Sequence, residues 1–158
     1  MRTERWVSTV SCRLLIGAVA MAGCVTSAPD EVLEHRFTET VELAPPDLDG
    51  DASLEDALVE RRSARDFAAE SLPLATIGQL LWAGQGVTDD EGHRTAPSAG
   101  ARYPLELYAV TSSSVMHYLP DGHRVESRPD AEMLSGLGDA AFDQQFVASA
   151  PLVIVVVG

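Results

Sequence analysis

The chain has 158 residues, is 46% hydrophobic and carries 24 acidic against 11 basic residues, all of the latter arginine, for a formal net charge of -13. That length supports one domain with a real core, and not comfortably two. A surface this acidic argues against nucleic acid or anionic lipid headgroups as partners.

Residues 1–23 have the form of a lipoprotein signal peptide. Arg2, Arg5 and Arg13 precede the apolar run Leu14 to Gly23, as in an export signal. The run is far short of the roughly 20 residues that a bilayer-spanning helix needs. Ala22 and Gly23 stand directly before Cys24, the small-residue pattern read by a lipoprotein signal peptidase, so Cys24 is the expected mature N-terminus and lipidation site. An ordinary secreted protein with an unused cysteine is the other reading of the same residues. On the first reading acylation anchors the chain without spanning the bilayer, and the expected location is the outer face of the cell membrane or the periplasm. Cys12 lies inside the signal, which leaves one cysteine and no disulfide.

Residues 24–52, rich in Pro, Asp, Glu and Thr and without an apolar period, read as a tether and extended arm. The domain proper is expected over 53–158. "SLED" at Ser53 is a capping box with Asp in the Glu place, and Leu54, Ala57 and Leu58 form a stripe, which predicts a helix from Leu54 to Arg61. "TIGQLLWAGQG" predicts a second helix capped by Thr76, with Ile77, Leu80, Leu81 and Gly84 on one face and Gly84 and Gly86 closing it. A long polar loop, Val87 to Pro104, follows. Then come a strand in "LELYAVTS", a hairpin turning at Pro120 to Gly122, two short helical pieces from Asp130 to Ser149, and the all-apolar strand "PLVIVVVG", expected to be central and buried on both faces.

Two segments carry chemistry. Arg61, Arg62, Ser63 and Arg65 combine planar guanidinium forks with a hydroxyl, the inventory for gripping a phosphate. Arginines after a helix also favour its C-terminal dipole, and a solvated basic patch is the competing reading. In "APSAGARYP", Ala96, Ser98, Ala99 and Gly100 have little or no side chain, so a flat ligand could lie against their backbone amides, and prolines at both ends stiffen the loop; a turn-rich connector is the alternative. Trp82, Tyr103 and Tyr108 read as core or pocket wall. His35, His93, His117 and His123 have no metal-ligand spacing, so no metal is assigned. "DLDGD" lacks the later glutamate of a calcium loop and reads as a surface turn.

Taken in order, "SLEDALVERRSARDF", "LPLATIGQLLWAGQGV", "RTAPSAGARYPLELYAV", "HYLPDGHRVE" and "FVASAPLVIVVVG" resemble the flavin-dependent nitroreductase superfamily. The nearer likeness is to the branch of thiazole- and oxazole-forming dehydrogenases, the streptolysin-S-biosynthesis type, over about Leu43 to Gly158. The resemblance implies an α+β fold with helices packed on a central mixed β-sheet. It implies that Arg61, Arg62, Ser63 and Arg65 hold the phosphate and ribityl chain of FMN, and that Pro97, Ser98, Ala99 and Gly100 border the flavin ring across a homodimer interface. The implied activity is two-electron hydride transfer, with NAD(P)H as donor and an electron-poor or azoline small molecule as substrate. No catalytic side chain is assigned, because the flavin carries the hard step.

The sequence also departs from the pattern. Family members continue past the "VIVVV" strand, so the chain is expected to be truncated after it and to need another chain for the missing half. The lysine–tyrosine pair ascribed to proton transfer in azoline-oxidising members is absent from a chain without lysine, which favours a generic FMN oxidoreductase. The contrasting expectation is a truncated, catalytically inactive lipoprotein acting as a binding or partner module.

Overall fold

The computed structural model describes residues 36–158. The signal sequence, Cys24 and His35 lie outside the described residues. The fold is α+β. Its elements are β1 (Glu39–Glu42), α1 (Leu54–Glu60), α2 (Leu74–Gln85), a 3-10 turn at Ala99–Ala101, β2 (Glu106–Val110), β3 (Ser114–Leu119), β4 (Arg124–Pro129), α3 (Met133–Ala140), α4 (Gln145–Ala148) and β5 (Val153–Val157).

The five strands form one sheet in the order β1-β4-β3-β2-β5, and every pairing is antiparallel. This corrects the expected mixed sheet. Short turns join β2, β3 and β4, and such connections make antiparallel neighbours. β5 begins opposite Val110, at the end of the sheet where β4 finishes opposite Ser114, so α3 and α4 need no crossover along the sheet. The turn from β3 to β4 spans Pro120–His123, with Gly122 and His123 both at positive φ.

Strand alternation sorts the core into two layers. Leu107, Ala109, Met116, Tyr118 and Val125 meet Ile77 and Leu81 of α2 on one face. Val110 and Val115 meet Leu134 of α3 on the other, with Tyr108, Val153 and Val155 alongside. α2 packs tightly on the sheet at Gly84, where a Cβ would fall 2.7 Å from Leu107 Cδ1.

Several expectations change. The segment read as tether is not one throughout: Glu39–Glu42 adds a strand to β4, Leu43 is buried in the core, and Asp47 exchanges backbone hydrogen bonds with the Gln79 amide at 2.7 and 2.9 Å. Its charges face outward while Val41 and Leu43 face in, a pattern too short to show as periodicity. α2 starts three residues earlier than Thr76 would cap it, after Pro73, whose fixed φ suits a helix start. Leu80 is exposed where Ile77 and Leu81 are buried. β5 is an edge strand with Val156 and Val157 exposed, so its apolar run does not mark a central strand buried on both faces.

Candidate functional site

The basic segment is positioned by α1. Ser53 caps that helix, its Oγ accepting from the Asp56 N–H at 3.0 Å while its hydroxyl donates to the Asp56 carboxylate at 2.8 Å. The helix ends at Glu60, and residues 61–70 continue without helix or strand, all exposed. Arg62 folds back: its Nη1 donates to the carbonyls of Val59 and Arg61, both at 2.8 Å. This satisfies carbonyls that a helix end leaves open. Arg65 lies over the Phe146 ring of α4 at 5.5 Å, a cation–π contact. Arg61 and Ser63 are exposed. Among the described residues none of Arg61, Arg62 and Arg65 pairs with a carboxylate, whereas Arg128 pairs with Asp130 at 2.6 Å.

The small-residue loop is closed on Ser98 by two hydrogen bonds. Ala101 N–H donates to Ser98 O at 3.1 Å and Tyr103 N–H to Ser98 Oγ at 3.0 Å. Gly100, Ala101 and Tyr103 all have positive φ, at 66°, 52° and 42°. Glycine takes that conformation freely; alanine and tyrosine pay on the order of 1 kcal/mol each or more. Strain of this kind persists where surrounding structure holds it. Among the described residues no hydrogen bond, ion pair or ring contact joins this loop to the 61–65 segment; each stands as a separate exposed element of the chain.

Sequence reasoning missed Arg94 and Arg102, which bracket the loop. Arg94 lies 4.8 Å over the Tyr103 ring and donates to Gln85 Oε1 at 3.4 Å; Arg102 is exposed. Their symmetrical placement around the small residues was the available signal. Trp82 and Tyr103 are half-buried, and Trp82 Nε1 donates to Val87 O at 3.3 Å. Tyr108 is a pocket wall: with Phe37, Val110, Val115, Arg128, Met133, Leu137 and Val155 it lines a cavity of about 330 Å³ against α3. Next to it His117 stacks on Tyr108 at 4.7 Å and bonds Glu106 at 2.7 Å. No residue of the two expected cofactor segments lines this cavity. Asp130 fixes its rim. Burial pushes the Asp130 carboxyl up, but the N–H groups of Glu132 and Met133 and the Arg128 guanidinium outweigh that and hold it below the usual carboxylate range.

These features define a class: a three-layer antiparallel α+β domain with an arginine segment free of carboxylates after its first helix and a strained, small-residue loop before its second strand. The chain belongs to the nitroreductase family, whose model matches residues 58–158. It is 38% identical over 124 residues to MJ1384, a candidate nitroreductase of Methanocaldococcus jannaschii, the match covering 75% of this chain and 62% of the relative. A crystal structure of a candidate nitroreductase from Ralstonia eutropha JMP134 superposes with a TM-score of 0.65 at 32% identity, covering 76% of this chain and 56% of that one. The chain thus spans about three fifths of the length of the relatives it matches.

Proposed function

We propose that the chain carries an FMN-dependent oxidoreductase domain of nitroreductase type, related to the branch that oxidises azolines. The observation that carries this reading is the Arg61–Arg65 segment, exposed and without a carboxylate partner among the described residues, in a chain of net charge -13. An acid-rich protein that leaves its densest arginine cluster unneutralised has the electrostatics of a phosphate site. The residues present fit the group. Arg61 and Arg65 would hold the FMN phosphate with free N–H donors, Ser63 would add its hydroxyl, and Arg62 fixes the turn out of α1 that presents them. Pro97, Ser98, Ala99 and Gly100 would border the ring; a Cβ at Gly100 would meet nothing within 4 Å, so the backbone there is open to a flat group.

FMN, when bound, supplies two-electron hydride exchange between a reduced nicotinamide, NADH or NADPH, and an electron-poor or azoline substrate. These 158 residues hold no lysine and so do not themselves supply the lysine–tyrosine pair ascribed to azoline oxidation; the reading is kept to a general FMN oxidoreductase. Purified chain incubated with FMN and desalted is expected to remain yellow. Arg61→Glu sets like charge against the phosphate and is expected to weaken flavin retention about tenfold or more. A soluble, folded wild-type chain that stays colourless, or an Arg61→Glu variant with full flavin content, removes the reading.

A second reading, an inactive partner module, is favoured by the outward apolar face of α1, where Leu54, Leu58 and Val59 are 70%, 62% and 71% exposed. On either reading we propose that this face is covered in a homodimer or by another chain. We also propose that Cys24, preceded by Ala22 and Gly23, is acylated and holds the exported chain at the membrane surface. Among the described residues no helix is long and apolar enough to cross a membrane. Cys24→Ser is expected to move the chain from the membrane to the soluble exported fraction; unchanged membrane partition would count against the anchor.

A further inference from the structure

The Ser98–Tyr103 loop holds two non-glycine residues, Ala101 and Tyr103, in left-handed backbone conformations. Such residues relax unless something outside the loop fixes them. Two hydrogen bonds to Ser98 close the loop on itself but do not tie it to the rest of the fold. The tie runs through Arg94. Its guanidinium carbon lies 4.8 Å over the Tyr103 ring, and its Nη1 donates to Oε1 of Gln85, a residue 3% exposed at the end of α2. Arg94 is itself held in place. It bridges Val87 backbone to backbone, and next to it Thr95 N–H bonds Gly86 O at 2.9 Å and Thr95 Oγ1 bonds Trp82 O at 3.1 Å. α2 is seated in the core by Ile77 and Leu81. Arg94 is half-buried and has no carboxylate partner among the described residues. Its cation is therefore directed to a neutral amide and an aromatic face.

We propose that Arg94 is a positioning residue: it braces the flavin-bordering loop by clamping the Tyr103 ring to the C-terminal end of α2, so the loop conformation is set before cofactor arrives. A planar guanidinium serves this role because it stacks on a ring and donates in its own plane at once; a lysine ammonium stacks less well and cannot span both. The clamp needs the ring of Tyr103 and not its hydroxyl.

The cofactor arm of this proposal rests on the FMN reading, so the test has two readouts on the purified full chain. The first is amide hydrogen exchange of the peptide covering Ser98–Leu105 without added flavin. Arg94→Ala and Tyr103→Ala are expected to speed its exchange about tenfold, with the β2–β3 peptide unchanged as the check on folding. Tyr103→Phe is expected to behave as wild type, Arg94→Lys to fall between, and the double alanine variant to match either single one. The second readout is FMN affinity by quenching of flavin fluorescence, expected to fall about tenfold in Arg94→Ala and to be kept in Tyr103→Phe. Wild-type exchange in Arg94→Ala, effects that multiply in the double variant, or faster exchange with unchanged FMN affinity would each overturn the positioning role. If wild-type chain ignores FMN, the flavin reading falls by itself, and the clamp stands or falls on exchange.

Discussion

Tyr118 sits near the end of β3 with 1% of its surface exposed, and its hydroxyl lies 2.9 Å from Nδ1 of His123 in the turn that follows. Burial pushes its pKa up to about 12, against a smaller opposing pull from the Arg94 charge. The unfolded chain ionises this tyrosine near 10, so the folded state holds its proton longer. That contribution to stability is complete below about pH 10 and is lost as pH rises toward 12, by on the order of 2–3 kcal/mol. Tyr118→Phe should lose about 1 kcal/mol at neutral pH with the hydroxyl–imidazole bond, and denaturant melts from pH 9 to 12 should fall less steeply for it than for wild type. Parallel slopes would show that Tyr118 does not control the alkaline limb. None of this was visible in sequence, where "MHYLP" has a strand's alternation but no sign of which tyrosine meets which histidine. The site arginines divide in the same way. Their clustering is plain in "ERRSARDF". That Arg62 turns back onto the carbonyls of Val59 and Arg61 while Arg61 stays exposed depends on where α1 ends.

α1 was legible from its start signal, because a cap is written in adjacent residues: Ser53 Oγ accepts from the Asp56 N–H as an N-cap does, while the Asp56 carboxylate takes the Ser53 hydroxyl rather than its backbone N–H. Its stripe of Leu54 and Leu58 was legible too, but as a pattern only; the stripe is exposed. Periodicity shows that a helix has an apolar side without showing what covers it. β5 gives the same lesson from a strand. A run of valines and isoleucine states that the strand prefers to leave water, and position within a sheet is a separate matter set by which neighbours the connections deliver. Here α3 and α4 return the chain to the end of β2 at which Val110 lies, and β5 takes the edge. β1 escaped notice because four residues, two of them glutamates, carry too little period to stand out from an acidic arm.

For the molecule as a whole the apolar surface is the open question. Leu54, Leu58, Val59, Phe142, Val156 and Val157 are all exposed, and among the described residues β5 pairs on one side only, with β2. The opposite edge, β1, carries Glu39 and Glu42, charges that discourage edge-to-edge pairing. The expected outcome is association through the α1 side rather than through β1. Light scattering of the purified chain should report a dimer or larger species in the micromolar range, and Leu58→Glu should shift the midpoint to about tenfold higher concentration or beyond. A wild-type chain monodisperse as a monomer at high concentration would argue against the proposed covering of α1.

By itself the sequence determined the types of the helices and strands from α1 onward, the helix start at Ser53, the β3–β4 turn, the arginine cluster and the small-residue loop. These are written in contiguous residues and act over a few positions of chain. Only the tertiary structure decided the antiparallel order of the sheet, the edge position of β5, the recruitment of Glu39–Glu42 as a strand, and the Gln85–Arg94–Tyr103 line. Each of these joins groups set by three-dimensional packing, where an apolar run or a lone arginine is compatible with several partners until the fold selects one.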